Sequence, residues 1–248
     1  MNKLIKRGRL SGERLDPRSL IDDCGIDEDE TLQNVVNDWS RRHLDLLRDR
    51  RTAMRRAPLL GADAVASGNS VMWRKAAEEV LLSREAVRDH ALQGSASIAA
   101  VLQNEDRLTF EIAVRRQAFP GIWRGDRAAR ALAAALSLKS LDPDQIASIT
   151  HLQQDHQNRR AMLQVQQQEA MLREESRLLI EQDIRRTDAL FGEMKSAPLS
   201  TPLLDASKRD RHALSADTMN RLQSQLTESQ WESIPGTASK PVSDDRDR

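Results

Sequence analysis

Three residues with metal-ligating side chains lie close together in this sequence: His151, Asp155 and His156. His151 and Asp155 are four residues apart, which would put them on one face of a helix, where an imidazole and a carboxylate can hold a zinc ion. The HExxH pattern of zinc hydrolases is absent, and His156 would point away from that face. The pair therefore predicts a zinc site or, in the alternative that the missing pattern favours, an ordinary solvated helix surface.

Arginines crowd a second region, between residues 41 and 56. A ridge of guanidinium groups can hold phosphates or anionic lipid headgroups. The alternative, which the sequence favours, is a solvated helix face whose arginines pair with acidic side chains such as Glu78, Glu79 and Glu85. Because no aromatic residues interleave with the arginines to stack on bases, nucleic-acid binding is disfavoured. The arginines predicted to bind an anion are Arg41, Arg48, Arg51 and Arg55.

Signatures of catalysis are missing from the rest of the sequence. There is no nucleophile elbow and no glycine-rich phosphate loop. Cys24 is the only cysteine, which excludes an intramolecular disulfide and a cysteine-based zinc cluster. We therefore predict a protein that is not an enzyme, with no evident small-molecule substrate and no cofactor beyond the zinc considered above.

The composition favours long charged helices over a thick globular core. Of the 248 residues, 39% are hydrophobic, 31% are charged and only 3% are aromatic. Such a chain suits extended helices, which need only narrow apolar stripes. The 38 lysines and arginines balance the 38 aspartates and glutamates, so no long-range field steers the whole protein to nucleic acid or a membrane.

Hydropathy along the chain predicts no transmembrane segment. The basic first ten residues also lack the apolar stretch of a signal peptide. We therefore expect the protein in the cytosol, unless a signal sequence encoded upstream of Met1 directs it to the periplasm.

Caps and prolines predict where the first helices begin and end. Asp16 should cap a short helix that starts at Pro17 and ends at Gly25 in a left-handed turn. Asp27 should cap the next helix, and Pro58 should end that helix in a loop.

Two later segments carry the longest apolar stripes. Apolar residues at steps of three and four from Trp73 to Ile112 predict a helix of about 50 residues that stops at Pro120. A second long helix should start behind the cap Asp142 and run to about Lys195. Because each stripe is too narrow for a globular core, we expect the two helices to fold back on each other.

The predicted fold class is therefore all-α, an elongated, coiled-coil-like antiparallel hairpin of two long helices with shorter flanking helices. The hairpin domain should occupy residues 15–195. A flexible N-terminus, a linker, a C-terminal helix and a disordered tail should surround it, at residues 1–14, 196–213, 214–234 and 235–248.

Two pentapeptides share a pattern that pairs a helix cap with an inward-packing leucine. One is Leu226-Thr227-Glu228-Ser229-Gln230, which fits the motif LTxxQ, and the other is the variant Leu141-Asp142-Pro143-Asp144-Gln145. The chain thereby resembles the Spy/CpxP/ZraP-like family of helical periplasmic stress proteins of bacteria. The resemblance implies binding of unfolded envelope proteins without ATP, or metal-linked stress sensing, by the concave face of a helical hairpin dimer.

A protein of this kind would hold a protein partner through exposed apolar side chains. The candidates for such contact, each with core packing as its alternative, are Trp39, Met72, Trp73 and Trp123. We expect self-association as a homodimer. A coiled-coil scaffold is the competing hypothesis, and an anion-binding helix protein that uses the arginines above is the third.

Overall fold

The structure, a computed structural model, describes residues 10–190 and 200–235 of the chain. Every regular element within these ranges is a helix, which confirms the predicted all-α class. None of these helices is both long enough and apolar enough to cross a membrane. In chain order they are α1 (Pro17–Cys24), α2 (Glu30–Ala66), α3 (Ser70–Val101), α4 (Asn104–Ala118), α5 (Pro120–Trp123), α6 (Arg127–Leu136), α7 (Pro143–Leu190), α8 (Pro202–Ser224) and α9 (Glu228–Glu232).

The chain divides into two compact units. Unit 1 comprises Met1–Trp123 and Glu169–Pro202, and unit 2 comprises Arg124–Gln168 and Leu203–Arg248. Each unit has its own cluster of buried apolar side chains.

Unit 1 is built on a hairpin of two long helices, α2 and α3. The turn between them contains Gly68, whose φ of 64° lies in the left-handed region that favours glycine. Arg56 pairs with Glu79 near this turn, whereas Trp39 contacts His90 far from it, so the two helices run antiparallel. The predicted hairpin is present, but it is formed by α2 and α3 rather than by the two segments with the longest stripes.

The start and end of α2 both differ from the prediction. Asp29, rather than Asp27, caps the helix by accepting a hydrogen bond from the Leu32 amide at 2.8 Å. Pro58 lies inside α2, which continues to Ala66, so the predicted loop is wrong. A proline inside a helix removes one backbone hydrogen bond. Packing offsets this loss, because the helix around it is held against α3 by a buried cluster of Ala53, Ala57 and Val80.

The predicted continuous helix from Trp73 to Phe119 is broken. α3 ends at Val101, the next two residues are extended, and α4 begins at Asn104 with a φ of 36°. The break lets α4 pack against both α1 and α3 and bury Phe110 completely. The spacing of apolar residues survives such a bend, so periodicity alone could not reveal it.

The first described residues of unit 1 are fixed in place, although residues 1–14 were predicted to be flexible. Leu10 is only 3% exposed. Ser11 donates hydrogen bonds to Glu175 from its amide at 2.8 Å and from its hydroxyl at 2.9 Å. Residues 1–9 lie outside the described ranges, so the prediction is corrected for residues 10–14 alone.

Unit 2 is organised around the alanine-rich helix α6, whose small side chains allow close packing. Its buried cluster consists of Ala131, Leu132, Ala135, Ile149, Leu152, Leu222 and Ile234. α8 begins at Pro202, so residues 202–213 of the predicted linker are helical, and burial of Leu204 and Leu214 explains why. The predicted disordered tail beyond Pro235 and the helix end near Lys195 lie outside the described residues.

Candidate functional site

The predicted zinc ligands lie on α7, in unit 2. His151 is exposed, and Asp155 has basic partners. Asp155 Oδ2 accepts a hydrogen bond from Arg221 Nη1 at 3.0 Å and lies 3.7 Å from Arg159 Nη1. Within the described part of the chain, no group of three or more His, Cys, Asp or Glu side chains could hold a metal ion. A zinc ion on this pair would have to compete with the guanidinium groups, and zinc binding stays a prediction.

His156, which was predicted to point away from the face of His151 and Asp155, is buried and is the centre of a polar cluster. It is 1% exposed, and its Nδ1 lies 2.9 Å from Thr218 Oγ1. Its Nε2 lies 3.3 Å from Asp126 Oδ2. Burial by itself would raise the pKa of Asp126, but contact with His156, the Ala129 amide and the charge of Arg160 lower this pKa to about 2. The cluster therefore stabilises the fold of unit 2 with a charged carboxylate that is 21% exposed.

The residues proposed for partner contact lie mostly inside unit 1. Trp39 is 7% exposed and Trp73 is 3% exposed, so both belong to the core, the role that was given as the alternative. Met72 and Trp123 are half-buried. The guanidinium of Arg115 lies 5.2 Å from the centre of the Trp123 ring, in a cation–π contact.

The predicted anion-binding arginines, Arg41, Arg48, Arg51 and Arg55, share one exposed face of α2. We call this face the arginine stripe. Aspartates one turn away partly neutralise the arginine stripe. One carboxylate oxygen lies 2.6 Å from the guanidinium of Arg41, and another lies 3.0 Å from that of Arg48. Arg51 and Arg55 form no ion pair with any residue that the structure describes. Anion binding by the arginine stripe stays a prediction.

A cleft of about 900 Å³ opens in unit 1, and none of the arginines of the arginine stripe lines it. Its lining comes from the segment before α1, from the first turn of α1, from α2 and from α3. The apolar part of the lining consists of Leu15, Trp39, Leu44, Leu47 and Met54. The volume lies in the range of small-molecule sites, and the mixed lining is typical of them.

A buried ion pair lies at one wall of the cleft. Arg84 donates to the Glu13 carboxylate from Nε at 3.0 Å and from Nη2 at 2.7 Å, and both side chains are 7% exposed. Arg50 donates to the same carboxylate from Nη1 at 3.0 Å. Glu13 thus fixes two guanidinium groups beside the apolar lining and attaches the N-terminal segment to the hairpin.

Three aromatic rings form a stack beside the cleft. The ring centres of Trp39 and His43 are 4.6 Å apart, and those of His43 and His90 are 5.9 Å apart. His90 Nε2 must carry a proton, because it lies 3.1 Å from the carbonyl oxygen of Trp39, which can only accept. Burial, and then the proximity of His90, lower the pKa of His43. The His43 imidazole is therefore neutral at pH 7.

Three polar atoms beside the cleft lack partners. Trp39 Nε1, Ser40 Oγ and His43 Nδ1 are buried and form no hydrogen bond with any residue in the described ranges. The residues that carry these atoms line the cleft. A buried polar atom without a partner costs about 1–3 kcal/mol, which a ligand that supplies a hydrogen bond would recover.

Sequence patterns did not predict this cleft, because its lining comes from distant parts of the chain. One signal was present. Along α2 the inward-facing series Trp39, His43, Leu47, Arg50 and Met54 has helical spacing, and it contains a histidine and an arginine. Polar side chains on the apolar face of a helix indicate either a buried network or a ligand site, and the structure shows such a network, in which Arg50 and Arg84 donate to Glu13.

The two LTxxQ-like pentapeptides meet in unit 2 through their final glutamines. Gln145 Nε2 donates to Gln230 Oε1 at 3.1 Å, and Gln230 Nε2 donates to Gln145 Oε1 at 3.2 Å. Each Oε1 also accepts a hydrogen bond from the capping residue of its own helix, Asp142 or Thr227. The predicted caps are confirmed, and the pairing joins the start of α7 to that of α9.

No protein-family model, no curated protein and no solved structure matches this chain. The fold and the site define a class: an all-α protein with a cleft that could accommodate a small molecule. The resemblance to the Spy/CpxP/ZraP-like proteins stays a prediction based on the two pentapeptides.

Proposed function

We propose that this chain is a non-enzymatic binding protein and that the cleft of unit 1 is its ligand site. One observation supports the proposal. The cleft has the volume of a small-molecule site, and its apolar lining lies beside guanidinium groups that Glu13 holds in place. Apolar surface supplies affinity, and a few oriented polar groups supply specificity.

The polar lining favours binding over catalysis. Ser40 and His43 are the residues of the cleft that could act as nucleophile and base, but Ser40 Oγ and His43 Nδ1 are not hydrogen-bonded to each other. Nucleophilic catalysis by serine requires that contact. The carboxylate of Glu13 is engaged by two arginines, which makes it a poor general base.

Binding of a neutral apolar fluorophore tests the proposal. N-phenyl-1-naphthylamine should gain fluorescence with the protein, and Leu47→Trp, which fills the cleft, should weaken its binding by about tenfold or more. Leu59→Trp is the matched control, because Leu59 lies on the same helix, is 68% exposed and does not line the cleft. Equal affinities of the two variants would place the fluorophore elsewhere and refute the proposal.

The pairing of Gln145 with Gln230 favours a second candidate function, that of a stress chaperone like the proteins with LTxxQ motifs. In that role the chain would bind unfolded protein partners, and it would act as a homodimer. Exposed apolar side chains of unit 1 are better placed for clients than the buried tryptophans. These side chains are Leu59, Val71 and Leu82, which are 68%, 72% and 65% exposed.

The second candidate predicts that near-stoichiometric amounts of the protein suppress aggregation of an unrelated denatured protein. Sedimentation should detect the homodimer at the same concentrations. Replacing Leu59, Val71 and Leu82 together by serine should abolish the suppression, whereas Leu47→Trp should leave it unchanged. A monomer without any effect on aggregation would exclude this candidate and leave the ligand cleft as the proposal.

A further inference from the structure

The charges around the cleft indicate the chemistry of its ligand. Four arginines against two carboxylates leave a formal charge of +2 on the lining: Arg14, Arg18, Arg50 and Arg84 against Glu13 and Asp16. Resting on the proposed function above, we propose that the ligand is an amphipathic phosphate monoester, whose apolar body lies on the Trp39 side of the cleft and whose dianionic phosphate is held by Arg18 and Arg50.

The buried ion pair leaves part of this charge available. Arg84 and Glu13 largely neutralise each other, because the guanidinium donates to both carboxylate oxygens and both side chains are buried. Arg50 donates to Glu13 from Nη1 alone. Its Nε and Nη2 form no hydrogen bond with a described residue, and its side chain is 26% exposed.

Arg14 and Arg18 provide further charge at the exposed edge of the cleft. Neither forms an ion pair with a residue in the described ranges. Asp16 is the one carboxylate of the lining that has no arginine partner, and its Oδ1 accepts from the amides of Arg18 and Ser19 at 3.1 and 3.4 Å, as the cap of α1. The position of Asp16 is therefore fixed by the helix start, while the guanidinium groups are free to turn toward an anion.

The geometry of guanidinium groups suits a phosphate in particular. A guanidinium offers parallel N–H donors that bind two oxygens of one phosphate, and a phosphate monoester can accept from more than one arginine. A carboxylate would compensate only half of the excess charge. A cationic or neutral ligand would leave the excess positive charge of the lining without a counter-charge in the cleft.

The apolar lining requires a body attached to that phosphate. Trp39, Leu47 and Met54 face the cleft from α2, and Leu15 faces it from the segment before α1. Contact with this surface removes apolar area from water and adds affinity. Inorganic phosphate, which has no such body, should bind much more weakly than an aryl or alkyl ester.

Calorimetric titration of the full chain with four compounds tests the inference. The compounds are 1-naphthyl phosphate, 1-naphthoate, 1-naphthalenemethanol and inorganic phosphate. The naphthyl phosphate should bind about tenfold or more tightly than the neutral alcohol, with the carboxylate between them. Equal affinity of phosphate and alcohol would overturn the inference and leave the proposed function standing, whereas failure of all the naphthyl compounds would refute both.

Variants locate the phosphate. Arg18→Gln and Arg50→Gln should each weaken naphthyl phosphate binding by about tenfold and change binding of the alcohol less than twofold. Arg18 is exposed, so its variant folds even if Arg50→Gln disturbs Glu13. Arg55→Gln, on the arginine stripe, is the matched control. Loss of affinity in Arg55→Gln, but not in Arg18→Gln, would move the anion to the arginine stripe and overturn the inference.

A competition experiment separates the two sources of such a phosphate. Vesicles that contain phosphatidate present a phosphate monoester on a lipid, whereas naphthyl phosphate presents it in solution. Displacement of naphthyl phosphate by these vesicles, but not by phosphatidylcholine vesicles, would assign the monoester to a lipid headgroup. Binding of naphthyl phosphate without such displacement would assign it to a soluble ester.

Discussion

The indole ring of Trp39 on α2 lies directly against the backbone of Gly94 on α3. A Cβ atom placed on Gly94 would overlap Cδ1 and Nε1 of that ring. The absence of a side chain at Gly94 therefore allows the two helices to approach closely at this point. A glycine that weakens α3 as an isolated helix thus stabilises the hairpin, and it also sets the position of an aromatic ring in the cleft.

Gly94→Ala should destabilise the protein, opposite to the usual effect of this substitution in a helix. Alanine is favoured over glycine by about 1 kcal/mol in a helix interior, but displacement of the Trp39 ring should cost about 2 kcal/mol or more. Urea unfolding measures the difference. Gly121→Ala is the control, because a Cβ there meets nothing within 4 Å. If Gly94→Ala were as stable as this control, the close contact would not exist in solution.

The Gln145–Gln230 pair should contribute to the stability of unit 2. We expect Gln145→Ala and Gln230→Ala each to cost about 1–2 kcal/mol, because each removal leaves the other amide with fewer partners. The double variant should cost less than the sum, with a coupling energy of about 0.5 kcal/mol or more by chemical unfolding.

Gln154→Ala is the matched control for this pair. Gln154 lies on the same helix and is exposed, and among the described residues its side chain bonds only its neighbour Asn158, at 3.1 Å. Its replacement should change stability by less than about 0.5 kcal/mol. Additive effects of the two glutamine substitutions would show that the pentapeptides act as independent helix caps.

The contact of half-buried Asp126 with buried His156 should make stability depend on acid pH. The pKa of Asp126 in the folded protein is about 2, below its ordinary value of 3.8, so the charged carboxylate stabilises the fold at neutral pH. This contribution should be lost as the pH falls from about 4 to about 2. Asp126→Asn should be less stable than the wild type by about 1–2 kcal/mol at pH 7, and the difference should disappear near pH 2.

Asp142→Asn is the control for this pH dependence. Asp142 caps α7 and is exposed, and asparagine caps a helix about as well as aspartate does. The wild type and Asp142→Asn should therefore unfold alike across the same pH range. A pH-independent difference between Asp126→Asn and the wild type would contradict the role assigned to the carboxylate charge.

Glu13 should be far more important for stability than the acidic partners of exposed arginines. Glu13→Gln removes the charge that accompanies the buried Arg84, at a cost of about 3 kcal/mol. Glu79→Gln breaks the exposed pair with Arg56, 3.6 Å apart, and should cost less than about 1 kcal/mol. Thermal unfolding of the two variants checks the contrast. Similar midpoints for both would mean that the Glu13 pair is solvated.

The helix starts were predictable where the signal was local. Asp16 and Asp142 cap the helices that their sequences indicated, because a cap depends on residues within one turn. The end at Pro58 was not predictable. Whether a helix continues past a proline depends on the packing energy against α3, which involves residues more than twenty positions away.

The candidate site was even less accessible from sequence. The zinc pair and the arginine stripe were recognised because their side chains are close in sequence. The structure places both on helix faces where side chains of opposite charge lie nearby. The cleft depends on Glu13 reaching Arg84, a contact across 71 positions. No helical period could predict that contact.

The amino-acid sequence by itself determined that the chain forms helices and where several of them begin, because caps and apolar spacing act within a few residues. Only the tertiary structure decided which helices pair, where the long predicted helix bends, and which side chains line the cleft. These outcomes depend on contacts such as that of Trp39 with Gly94 and that of Glu13 with Arg84. Such contacts join residues that are far apart in sequence, so they contribute free energy only in the folded chain.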